Sequence, residues 1–404
     1  MKKKIMIIAV AAAAVSVLGS CEILDNDPDK HLKDEDTVYV NLSEVAAVLS
    51  NIPLGVSQLN EVHDAVSSSS GNGYDEEYTM RDLFTSPGAG VGDVQVKSSV
   101  NYDRPLKELI EEYLRTVPQV KSVSSIDPDM FMKALTESDI QIYWPYSENW
   151  DGEQMPVITF DPEDGAEANI GYRFTVDDNG ARRVEEIVVD EEFAASQPVW
   201  VVNRNSDAGY TTLEMMRKED PEWGDGGGNI VIRPRSQDSS VKGNSLCRSL
   251  MLKEFTMKRN YDSWFAGGSE FFVKTGAVED FYASTEAELR LYSPTVTDFL
   301  VVVKRDQLGK SVPFNAILVS EWTDQVDQCA FMITEDDGGT ITQWICSALV
   351  RVQSKSYGIE ISIPCNSRDD IVWRGQLSRK WLEANSNIAG HFGDVDLVFE
   401  VIEY

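Results

Sequence analysis

The chain reads as mainly β, α+β overall, with a small helical N-terminal module, a central β module and a C-terminal antiparallel β-sandwich. Three observations predict this. Up to about residue 138 the apolar residues recur at spacings of three and four, and from Ile140 they shift to the period of strands. Two β-rich runs flank Asp177-Asp178-Asn179-Gly180, and Asn-Gly is a strong short hairpin signal. The last 155 or so residues hold eight short strand-like runs separated by turn residues, with almost no helical period.

In chain order, Lys2, Lys3 and Lys4 precede an apolar run over 5–17, too short to span a bilayer core of ~30 Å. The run ends in Leu18-Gly19-Ser20-Cys21, which resembles the lipobox of bacterial lipoproteins. That resemblance implies cleavage before Cys21, lipid attachment at Cys21 and stable membrane tethering by two or three acyl chains. The alternative is an ordinary secreted protein whose Cys21 joins a disulfide. Glu22, Asp25, Asp27 and Asp29, with Asp34, Glu35 and Asp36 behind them, are similar to the export tag of Bacteroidetes-type surface lipoproteins. A plain solvated tether accounts for the same acids. Residues 1–20 are thus expected to be signal peptide and 21–40 an acidic tether, on an outer-membrane protein whose export tag points it outward.

The helical module is expected over 41–138. Ser43 can cap a first helix carrying Leu42, Val45, Ala46, Leu49 and Ile52, which Pro53 ends. A second holds Leu59, Val62 and Val66, with His63 beside the stripe, before a serine-rich loop over 67–73. A third spans about 106–117 behind Pro105, and a fourth begins near Asp127-Pro128. The β module, 139–205, contains runs at 140–146, 156–160, 172–176, 184–189 and 198–202. Residues 206–245 read as a linker or long loop, because the glycines at 226–228 lack the flanking strand, helix and lysine of a phosphate cradle.

The sandwich, 246–404, has expected strands at 270–274, 287–292, 298–304, 315–321, 328–334, 340–352, 357–363 and 394–402, and a short helix at 377–384. A two-residue turn at Asp337-Gly338 would set Phe331 opposite Trp344 and Cys329 opposite Cys346, so Cys329–Cys346 is the expected disulfide. Cys247 and Cys365 are left over, and neither the cysteine spacing nor the three histidines implies zinc.

A formal charge of −31 repels phosphate backbones, which excludes nucleic acid as an expected partner and favours cations as guests. The sequence contains no His-Glu-x-x-His, Gly-x-Ser-x-Gly, Walker or Rossmann motif, and three histidines leave little for a nucleophile–base pair. Two features suggest ligands. Tyr143, Trp144 and Trp150, beside Glu148, Asn149 and Asp151, could stack on a sugar, although such a stretch is more often a core strand and a polar turn. Asp336, Asp337, Asp369 and Asp370 fall at turns that one end of a sandwich could gather around calcium, which takes six to eight oxygens. With the eight strands, the Asp337 turn and Ser367-Arg368-Asp369-Asp370-Ile371-Val372-Trp373-Arg374-Gly375 resemble a C2-like sandwich over residues 260–404, without the regularly spaced aspartate pairs of its calcium-binding members.

Three functions fit. The first is a lipid-anchored envelope binding or interaction module, calcium-organised, with a glycan or protein partner. The second is a carboxylate-dependent hydrolase acting on glycans, marked by two acids approaching in an aromatic cleft. The third is a structural component of an envelope complex, marked by a broad apolar patch.

Overall fold

The computed structural model describes residues 23–24, 40–85, 102–116, 127–176, 182–205, 210–219 and 248–403. The expected signal peptide, Cys21, the expected turn at 177–180, Cys247 and most of the expected 206–245 linker lie outside them. Of the tether, only the two-residue strand β1 (Ile23–Leu24) is described. No helix among the described residues is long and apolar enough to cross a membrane.

The N-terminal unit is one six-stranded sheet with its first five helices on one face and a single-turn helix on the other. Helices α1 (Leu42–Asn51) and α2 (Val56–Gly71) come first, then strand β2 (Glu77–Thr79) and helices α3 (Met80–Leu83), α4 (Leu106–Thr116) and α5 (Pro128–Glu137). Strands β3 (Ile140–Tyr143), β4 (Val157–Phe160), β5 (Ala168–Val176) and β6 (Arg182–Asp190) follow, then helix α6 (Glu191–Ala194) and strand β7 (Val199–Arg204). The sheet order is β2-β3-β7-β4-β5-β6, and only β4 and β7 run parallel. The expected pairing across Asn179-Gly180 is present as β5 against β6. Because β2 pairs with β3, the helices and the central strands share one core, in which Leu49, Leu59, Ile110 and Phe131 meet Ile142, Trp144, Trp200 and Val202.

Local chemistry accounts for the helix ends. Asn41, not Ser43, caps α1, and its amide donates to Glu44. Asp127 accepts the Asp129 and Met130 amides ahead of Pro128, which starts α5. Helix α2 runs through the serines expected to form a loop. Its C-terminal carbonyl end is met by Lys218, which donates to the Gly71 carbonyl at 2.6 Å, and by Thr212, which donates to the Asn72 carbonyl. Cations and donors there satisfy carbonyls that a polar run would otherwise leave to water.

Helix α7 (Leu213–Glu219) leads into the C-terminal unit, a sandwich as expected. Its strands are β8 (Arg248–Met257), β9 (Ser269–Ala277), β10 (Thr295–Val303), β11 (Val312–Trp322), β12 (Val326–Glu335), β13 (Ile341–Val352), β14 (Lys355–Asn366), β15 (Asp370–Ser378), β16 (Ala389–Phe392) and β17 (Val395–Glu403). One sheet runs β1-β13-β12-β9-β10, with β14 added on β13 and β15 on β12, and the other runs β11-β8-β17-β16. Phe255, Phe271, Phe331 and Phe399 fill the core between them. Helix α8 (Arg379–Ala384) lies where the sequence placed it. The strand expected at 287–292 is instead a 3-10 turn, Glu286–Leu291, with Leu291 in solvent.

The expected disulfide is corrected. Cys329 and Cys346 are buried and are not bonded to each other. Strand β12 leaves β13 after Gln328 and continues between β9 and β15, placing Cys329 opposite Leu377, while β13 turns to β14 and sets Cys346 opposite Ile361. The two-residue turn does not form because Gly338 and Gly339 both take left-handed φ, at 67° and 107°, in a wider loop.

The segment between β8 and β9 joins the two units. Trp264 and Phe265 insert against the sheet face opposite the helices, where Tyr143, Val157, Val199 and Val201 receive them. Strand alternation sends Ile142, Trp200 and Val202 to the helices and Tyr143, Val199 and Val201 to this plug. The Trp264 indole donates to the Glu167 carbonyl at 3.0 Å, and Asn203 donates to the Phe265 and Ala266 carbonyls. The plug ends at Gly268, whose amide donates to Asp75 at 2.6 Å; a Cβ there would lie 2.9 Å from the Val303 carbonyl oxygen.

Candidate functional site

Two acidic sites flank the plug. The first lies at the rim of the larger sandwich sheet, where Asp262 comes from the plug segment, Glu270 from the start of β9 and Glu335 from the end of β12. Strand pairing brings the last two together, since Glu335 opposes Phe271 and the Asp336 amide donates to the Glu270 carbonyl. One carboxylate oxygen from each of the three acids lies within 4.8 Å of the others. Glu335 is fully buried, and neither of its carboxylate oxygens has a hydrogen-bond partner. Burial, then the neighbouring Asp262, pushes the Glu335 carboxyl up to about 11, and burial raises Asp262 as well. Asn260, two residues before Asp262, also buries an unpartnered side-chain oxygen.

The four acids read from the sequence as calcium ligands are close by, but they are not the ones that converge. Asp370 stands opposite Glu335 in the β12–β15 register. Asp336 accepts from the Gly338 amide at 3.0 Å and from the Asn366 side chain at 2.8 Å, and Asp369 accepts the Asn366 amide at 2.9 Å. These bonds hold the two loops together. Asp337 is pushed up to about 6 by burial and then by Asp262, Asp370 and Asp336, and Asp369 to about 6 by burial against a lowering bond from Asn366. The turn Glu335-Asp336-Asp337 was visible in the sequence, but nothing there marked its first member as the buried one. Asp262 sits in a loop with no motif.

An all-oxygen set of carboxylates suits a hard cation such as Ca²⁺ or Mg²⁺, and no soft ligand is among them. Three carboxylates this close, one of them without a donor, repel one another unless protons or a cation stand between them.

The second site is a cavity of about 240 Å³ on the seam between the units, lined among others by Glu76, Tyr143, Tyr146, Glu148 and Lys304. Tyr146 takes a left-handed backbone, φ 58°, and its amide donates to Glu76 at 2.9 Å while the Ser147 hydroxyl donates at 3.4 Å. Glu148 is the neighbouring carboxyl group that raises Glu76 most. Burial, then the interaction with Glu148, pushes Glu76 up to about 9 against the pull of Lys304, and the same interaction lowers Glu148. Beneath them Asp75 is buried, accepts the Glu76 and Gly268 amides, and is raised by burial.

The expected sugar platform is not assembled. Trp144 is fully buried, packed on His63, Trp150 and Trp200, and the half-buried Trp150 spends its indole N–H on the Gln154 carbonyl. Tyr143, also buried, faces the seam cavity on the other side of the sheet. Alternation along the strand separates it from Trp144. A small cavity of about 130 Å³ does lie beside Trp144 and Trp150. His391 is an exposed strand residue paired with Asp396 at 2.8 Å.

Compared with protein-family models, with curated proteins and with solved structures, the chain matches none.

Proposed function

We propose that the chain is a lipid-anchored envelope binding protein whose sandwich is organised by a calcium-type cation held by Asp262, Glu270 and Glu335. One observation carries this reading: Glu335, fully buried, presents two unpartnered carboxylate oxygens to two other acids. Buried polar groups are ordinarily hydrogen-bonded, and a buried carboxylate without a donor is costly. A divalent ion would remove the repulsion and satisfy those oxygens at once. It would also tie the plug, through Asp262, to strands β9 and β12, and so hold together the seam where a ligand can enter. The lipid anchor rests on the lipobox-like run ending at Cys21.

The test is thermal unfolding of residues 22–404 in EDTA and then in millimolar calcium. Preferential binding to the native state should raise the midpoint by several degrees. Glu335→Gln should abolish that rise while stabilising the metal-free protein at neutral pH, because it keeps the shape and removes a carboxyl group that must take up a proton to be buried. A midpoint indifferent to calcium, magnesium and manganese would refute the cation.

A further inference from the structure

We propose that the seam cavity is a binding site for a small organic ammonium ion, held by Glu76, Glu148 and the hydroxyl of Tyr143. Tyr143 is 2 % exposed, lines the cavity, and has no hydrogen-bond partner for its hydroxyl among the described residues. The hydroxyl therefore faces the cavity as an oxygen that no protein group holds, available to a donor that enters there.

Charge selects the ligand. The titratable groups around Glu76 in the cavity are Asp75, Glu148, Tyr143 and Tyr146 on its own unit, and Lys304, Arg305 and Asp306 from the sandwich. The two cations are already engaged. Arg305 forks onto Glu191 at 2.7 and 3.1 Å and donates to the Asp262 carbonyl at 3.1 Å, and Lys304 donates to Ser70 and approaches Glu76 at 3.9 Å. Glu76 and Glu148 therefore share a proton where a further cation would serve. Among the described residues only the rim gathers three acids tightly enough for a bare metal ion. The seam cavity is lined by four acids, Asp75, Glu76, Glu148 and Asp306, by two tyrosines and by the two engaged cations, and its volume of about 240 Å³ is below the ~300 to 1,000 Å³ of drug-sized pockets. That is room for a small amine, whose N–H groups would bond the carboxylates and the Tyr143 oxygen, with the tyrosine rings adding cation–π attraction.

Binding on these terms releases a proton. The ligand's N–H replaces the shared carboxyl proton, which passes to the buffer, and no covalent bond changes. The experiment is isothermal titration of residues 22–404 with 1,4-diaminobutane at pH 7 in EDTA, with 1,4-butanediol as the neutral control. Saturable binding of the diamine and none of the diol is expected, with heats that differ between phosphate and Tris in proportion to about one proton released. Glu148→Gln, at an exposed position that leaves folding intact, should weaken binding roughly ten-fold or more, and Tyr143→Phe about five-fold. Equal binding of diol and diamine, absence of saturation, or wild-type affinity in both variants would overturn the site; heats independent of the buffer would overturn the shared proton. EDTA empties the rim, so this result and the calcium result fail separately.

Discussion

At the scale of single residues, the acids of this chain do different work according to burial. Most of the described acidic residues are at least partly exposed, whereas Asp75, Glu76, Glu270, Glu335 and Asp336 are buried around the plug. Glu76 makes the consequence measurable. Its carboxyl is raised from an ordinary value near 4.5 to about 9, so the stability it contributes is fully present below the unfolded value and is lost as pH rises through about 9. Glu148 is shifted the other way, and its contribution is lost only as pH falls below the ordinary carboxylate range. Between pH 5 and 9 the Glu76 effect stands alone in this pair. Thermal midpoints over that window should fall more steeply in the wild type than in Glu76→Gln, and parallel curves would show that Glu76 ionises normally.

At the scale of elements, the plug between β8 and β9 is the piece on which both candidate sites depend. It supplies Asp262 to the rim, Gly268 to Asp75, and Trp264 and Phe265 to the sheet face under the seam. Trp264 is 1 % exposed and spends its indole N–H on Glu167. Truncation to alanine should cost about 3–5 kcal/mol, by the usual range for buried aromatics. Because the lost contacts lie between units, calorimetry of Trp264→Ala should resolve two transitions where the wild type shows one. A single transition with a small loss would mean that the units are held together elsewhere. The missed sandwich strands belong to this scale too. Strand β8 is nearly continuously buried between β11 and β17, so it shows no alternation, and β15 carries Arg374, Gly375 and Gln376 in a row. Neither presents the period-2 pattern by which a half-buried strand is read.

At the scale of the whole molecule, the anchor proposed at Cys21 and the acidic stretch behind it would decide where the protein works. The lipid reading and the surface reading make separate predictions. Replacing Cys21 with alanine should release the protein from the membrane fraction, as followed by fractionation. Protease added to intact cells should remove the wild-type body if the acidic tether acts as an export tag, and full protection would assign the body to the periplasmic side.

The sequence alone determined the fold class, the β5–β6 pairing, most of the helices and the sandwich strands with clear alternation, because local periodicity and turn chemistry are written in neighbouring residues. It also placed Asp336, Asp337, Asp369 and Asp370 at one end of the sandwich. Tertiary structure alone decided which carboxylates converge, since Asp262, Glu270 and Glu335 are brought together by strand pairing and by a loop without a motif. It decided the cysteines as well: Cys329 and Cys346 part because β12 trades β13 for β9 and β15. Tyr143 and Trp144, adjacent in sequence and read as one platform, end on opposite faces of a sheet that is buried on both sides. A site made by long-range pairing leaves no spacing for a sequence to show, and burial, which turns an ordinary acid into a ligand or a proton holder, is a property of the packed chain.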